Sequence, residues 1–139
     1  MLVLRVISDM AASRVSELRI LERIINDRGS RYAVAGGPAR DRAAAEALLA
    51  ELKRRKKFAR ATHNSWAGIL GGEAIKVDDG EAGAGAIILA ELEAAGATDT
   101  VLVVTRWYGG KHLGGDRFRH VRFAARRWLE AAGYPSAKG

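Results

Sequence analysis

The chain has 139 residues, and its 23 Lys and Arg against 16 Asp and Glu give a formal net charge of +7; this is the size of one domain with a core that needs no covalent staples. It has no cysteine, which excludes disulfides, thiolate metal sites, iron–sulfur clusters and thiol catalysis, and its three histidines, His63, His112 and His120, are too few and too scattered to suggest a metal site without carboxylate help; no cofactor is expected. The longest run without Asp, Glu, Lys or Arg is Ala61 to Gly72, twelve residues, against roughly 20 for a membrane-spanning helix.

Residues 1–17 read as an N-terminal extension. Arg5 and Asp9 interrupt its apolar start, so it does not read as a secretory signal, and the expected location is the cytoplasm. Leu18 to Ile25 fits either a strand or a helix by periodicity. The turn cluster Asn26-Asp27-Arg28-Gly29 before the extended run Arg31-Tyr32-Ala33-Val34 favours a hairpin. The alanine-rich stretch 39–57 predicts a helix with an apolar ridge of Leu48, Leu49 and Leu52. Asn64 to Leu70 and Glu73 to Val77 predict a second hairpin about Gly71-Gly72. The acidic, glycine-rich loop from Asp78 to Gly85 opens a helix carrying Ile88, Leu92 and Ala95, stopped at Gly96. Thr100 to Thr105, uncharged and rich in β-branched residues, predicts a buried central strand. After the glycine pairs Gly109-Gly110 and Gly114-Gly115 comes a last helix, with Asp116 as candidate cap and a stripe of Phe118, Val121, Ala125, Trp128 and Ala132. Residues 18–132 thus form the domain and 133–139 a tail. The element order predicts an α+β two-layer sandwich, a mixed sheet with helices on one face.

Three groups of residues could carry function. Asp78, Asp79 and Glu81 place three carboxylates within four residues; they suit a hard cation or acid–base work, or the free N–H groups of the helix they precede. Arg106-Trp107-Tyr108-Gly109-Gly110 through Gly114-Gly115 has four glycines in ten residues. It is neither a Walker loop nor a dinucleotide fingerprint. It suits an anion held by Arg106, or a tight connection with Arg106 paired to one of the three acids. Lys53, Arg54, Arg55, Lys56, Lys57 and Arg60 are six cations in eight residues, and Arg119, Arg122 and Arg126 share one face of the last helix. Such surfaces follow a nucleic-acid backbone or are simply solvated. A Ser65–His63–Asp79 triad, or one drawn through His120, lacks the nucleophile-elbow pattern, so hydrolysis is disfavoured.

Ala61-Thr62-His63-Asn64, Asp78-Asp79-Gly80-Glu81 with Gly85, and Arg106-Trp107-Tyr108-Gly109-Gly110 through Gly114 together resemble the IMPACT family, also called the YigZ family. Asp116-Arg117-Phe118-Arg119-His120 resembles the eukaryotic type. The resemblance implies the ribosomal protein S5 domain 2-like fold of elongation factor G domain IV, with a left-handed βαβ crossover. It also implies a regulator of translation under stress. No catalytic residues come with it. On this resemblance His63, Asp78, Asp79, Glu81, Gly85, Arg106, Tyr108, Gly109, Gly110, Gly114 and His120 form the motif region. The expected partner is a ribosome, an RNA or a translation-associated protein bound through the basic surfaces. A pocket for a phosphate-bearing small molecule at the motif region, with or without enzymatic activity, is the alternative, and an exposed apolar patch including Phe123 would mark a protein-interaction module.

Overall fold

The computed structural model describes residues 17–135, so the N-terminal extension, apart from Glu17, and the last four residues of the tail lie outside the described residues. The hairpin reading of the first segment holds. Strands β1 (Arg19–Asp27) and β2 (Ser30–Pro38) pair antiparallel. Their two-residue turn has positive φ at both Arg28 (48°) and Gly29 (86°), which matches the twist of the flanking strands. Strands β3 (His63–Leu70) and β4 (Glu73–Val77) repeat the device at Gly71-Gly72. Strand β5 (Thr100–Trp107) sits in the middle and completes the order β1-β2-β5-β3-β4.

Every adjacent pair in this sheet is antiparallel, which corrects the expected mixed sheet. Strands β2 and β3 do run the same way, as do β4 and β5, but another strand lies between the members of each pair. No parallel ladder forms among the described residues as a result.

Helices cover both faces rather than one. Ala33, Ala35, Trp66, Val101 and Val103 pack with α1 (Arg42–Lys53) and α2 (Lys56–Ala59). Their neighbours in sequence, Tyr32, Val34, Ala67, Leu102 and Val104, pack with α3 (Ala84–Ala95) and α4 (Asp116–Ala131). The period of two sends alternate side chains to opposite sides, and Thr100 to Thr105 is buried throughout because both sides are covered. The two crossovers, β2 to β3 and β4 to β5, step in opposite directions with opposite strand sense and pass over opposite faces. They are therefore of opposite hand, and one of them breaks the usual right-handed rule, as the resemblance implies. The α+β class stands.

The helix expected over 39–57 is shorter and broken. Asp41 caps α1 by accepting from the Ala44 N–H at 2.8 Å, so α1 starts at Arg42. It stops where five cations follow one another. Arg55 leaves helical geometry (φ −79°, ψ 115°), and the turn of α2 then drives Phe58 fully into the core. Like charges three and four residues apart disfavour a continuous helix here. Gly96 ends α3 in the left-handed region at φ 67°, and the Ala97 N–H reaches the Leu92 carbonyl at 2.9 Å. Asp116 lies in the first turn of α4 rather than capping it; Gly115 holds the cap position.

Candidate functional site

Three motif segments meet on the α3/α4 side of the sheet, at the end where β5 leaves it. His63 and Arg106 are direct neighbours across β3 and β5. The acidic loop after β4 folds back over them through Asp79 (φ 50°) and Gly80 (φ 84°). A Cβ at Gly80 would stand 3.1 Å from His63 Nδ1, so the loop presses closely on that ring.

The three acids divide their work. Asp78 accepts from the Gly85 N–H at 2.8 Å and the Gly83 N–H at 3.1 Å, which satisfies the start of α3. Asp79 accepts from the Asn64 N–H of β3 at 2.7 Å, while His63 Nδ1 donates to the Asp79 carbonyl at 2.9 Å. Glu81, 3% exposed, accepts from Arg106 Nη1 at both oxygens, 3.0 and 3.1 Å; Arg106 is 5% exposed. The Arg106 guanidinium also lies between the rings of Tyr32 (5.8 Å) and Tyr108 (5.7 Å). Ser65 spends its hydroxyl on the Asp78 carbonyl at 2.7 Å, so it is not poised against a base. Among the described residues no group of three or more His, Asp or Glu is placed to hold a metal ion.

The glycine-rich connection is clamped to the first hairpin. Ser30 Oγ accepts from the Gly109 N–H at 3.1 Å, and Arg106 Nη2 reaches the same oxygen at 3.4 Å. A Cβ at Gly109 would fall 2.0 Å from the Gly29 carbonyl carbon, so only glycine fits there. Gly110 (φ 90°) and Gly114 (φ 58°) complete the exposed bend into α4. The Tyr108 N–H donates to Thr62 Oγ1 at 2.9 Å, and its ring is 44% exposed.

His120 belongs to a second cluster beside the first. Its Nε2 lies 2.7 Å from Asp27 Oδ2, its ring lies 5.3 Å from that of Tyr32, and Arg28 bridges Asp27 to Asp116. The Arg28 hydrogen bond first, then that of His120, hold the Asp27 carboxyl down at about 2. Burial pushes the Tyr32 phenol up to about 12, against the pull of the Arg106 charge. Tyr32 Oη, Arg106 Nε and Arg117 Nε are buried without a partner among the described residues. Sequence reasoning missed Asp27, Arg28, Ser30 and Tyr32; only the turn signal around Asp27 and Arg28 marked any of them.

The two basic surfaces lie apart. Lys53, Arg54, Arg55, Lys56, Lys57 and Arg60 are all exposed on the α1/α2 side. Arg119, Arg122 and Arg126 lie on α4, on the other side, where charge is partly neutralised. Arg119 pairs with Asp116, and Arg126 and Arg122 approach Glu91 of α3 at 2.7 and 4.0 Å. Phe123 is 46% exposed. No helix among the described residues is long and apolar enough to cross a membrane.

Comparison with known proteins places these features. The chain is 35% identical over 123 residues to a Caenorhabditis elegans protein named "Protein IMPACT homolog", covering 83% of this chain and 48% of that protein. It is 34% identical over 118 residues to the Saccharomyces cerevisiae IMPACT homolog, covering 81% of this chain and 46% of that protein. The chain thus spans about half the length of these relatives. A solved structure of a hypothetical protein shares the fold with a TM-score of 0.71 at 23% identity, over 87% of this chain and 63% of that one. A solved structure of the two-domain translational regulator Yih1 matches with a TM-score of 0.51 at 29% identity, over 85% of this chain and 48% of that one. The Impact N-terminal domain profile matches residues 28–129, well over half of the sequence, and the chain belongs to that family.

Proposed function

We propose that this chain is a non-catalytic translation-regulatory domain that binds an RNA-bearing partner, the ribosome or a free RNA, through the basic surface of α1 and α2. The observation that carries the reading is the run from Lys53 to Arg60, whose six cations are all exposed. The kinship to proteins named IMPACT and the likeness to a translational regulator support it. The closed Arg106–Glu81 pair favours it over a small-molecule pocket or enzyme at the motif region. There the carboxylates are already committed to a helix start, a strand amide and a guanidinium.

Co-sedimentation with ribosomes and with structured RNA across salt tests the reading. A surface that neutralises six phosphates loses on the order of a thousandfold in affinity between about 50 and 200 mM salt. Binding at low salt with that steep loss is the expected result. Absence of binding at low salt, or binding insensitive to salt, contradicts it.

A further inference from the structure

We propose that a groove between the β1 bulge and α2 is a stacking slot for one base of single-stranded RNA, an inference that rests on the RNA-binding reading above. The groove has a volume of about 170 Å³ and is lined by Glu22, Arg23, Arg31, Tyr32, Lys57 and Trp107. That is several times the ~30 Å³ share of one water, so it admits a flat ring.

Trp107 is half-buried. Its Nε1–H is spent on the Lys57 carbonyl at 2.8 Å, and Phe58 meets the ring edge-on at 5.2 Å. What the indole has left to offer is π-surface. Arg31 is its direct neighbour across β2 and β5, and the Arg31 guanidinium lies 5.9 Å from the ring centroid. A planar cation and an indole lining one groove make the combination that holds a base by stacking and cation–π attraction.

The rim is cationic. Arg23, Arg31 and Lys57 face one acid, Glu22, which Lys57 already pairs. Arg23 and Arg31 have no carboxylate partner among the described residues. Arg23 reaches the rim from the bulge between Leu21 and Ile25, in the left-handed region at φ 55°. A non-glycine residue there is strained, and bulges of this kind re-aim a side chain. Lys57 belongs to both the groove and the Lys53–Arg60 run, so a strand with one base in the slot continues over the cations of α2. A duplex keeps its bases stacked inside and cannot fill the slot.

The test uses the full chain and an oligouridylate of about a dozen nucleotides, read by anisotropy of a label on the RNA and by tryptophan fluorescence. Trp66 and Trp128 are buried at 4% and 5% exposure, so quenching reports Trp107. The expected result is quenching that disappears in Trp107→Phe, and a loss in affinity on the order of fivefold or more in Arg31→Ala and in Arg23→Gly. Arg23→Gly also suits the positive φ, and both arginines are exposed, so these variants test the slot even where Trp107→Phe disturbs the core. Arg127→Ala, at an exposed position of α4 on the opposite side, leaves affinity unchanged. Retained affinity in both groove variants overturns the slot, as does equal quenching by duplex RNA or by an acidic phosphopeptide. Ribosome binding without oligouridylate binding overturns the slot and leaves the broader reading standing; failure of both removes the two together.

Discussion

Arg106 joins strand, loop and aromatic stack in one side chain. Replacing it by alanine leaves Glu81 charged and buried without its partner, which costs ~3–5 kcal/mol. Urea unfolding of Arg106→Ala should show that loss. The double variant Arg106→Met with Glu81→Leu should recover most of it, because two apolar groups leave no stranded charge. A catalytic or anion-binding arginine would instead lose function with stability unchanged. Tyr32 gives a second readout at this scale. Its phenol titrates near 12 in the fold against about 10 in the unfolded chain. The unfolded state releases this proton first, so stability is full below pH ~10 and falls as pH rises toward 12. Tyr32→Phe should remove that alkaline limb in pH-dependent thermal melts. The sequence offered Arg106 either an anion or one of three neighbouring acids and could not choose Glu81. The choice follows from how Asp79 and Gly80 fold the loop, and a left-handed aspartate carries no clear sequence signal.

Secondary-structure elements are tied by short polar latches. Asp78 holds the start of α3 with two backbone N–H bonds, and Asp78→Ala should lower stability by ~0.5–2 kcal/mol in urea unfolding. Asp27 joins the first hairpin to α4 through His120 and Arg28. Its folded pKa of about 2 lies below the ordinary carboxyl value of 3.8, so its contribution is present above pH ~4 and is lost as pH falls toward 2. Acid unfolding of Asp27→Asn should show a flatter limb in that window. Both hairpins were readable because a glycine turn separates two extended runs in each. The helix from 39 to 57 was over-extended because alanine propensity masked the Asp41 cap and the charge crowding at Lys53 to Lys57. The sheet's sense was misread for a different reason. Sequence shows which strands follow one another, but insertion of β5 between β2 and β3 is a tertiary fact. Burial of Thr100 to Thr105 on both sides already implied helices on both faces, a consequence the two-layer reading did not draw.

For the whole molecule, net charge of +7 is distributed unequally. One side of the sheet carries an exposed cationic run beside an indole groove, while the other spends part of its arginine charge on Glu91 and Asp116. Composition revealed the excess and its clustering; only the fold separates the two basic stretches. The family motifs, by contrast, were legible as three pieces of chain, and they meet because β3 and β5 are neighbours and the loop after β4 folds back. On the proposed function, the side bearing α1 and α2 contacts RNA phosphates. The slope of log affinity for ribosomes against log salt tests it most directly, measured for the native chain and for Arg54→Gln/Arg55→Gln/Lys56→Gln. The expected result is a steep negative slope that becomes shallower by about 2–3 in the triple variant. An unchanged slope would contradict it.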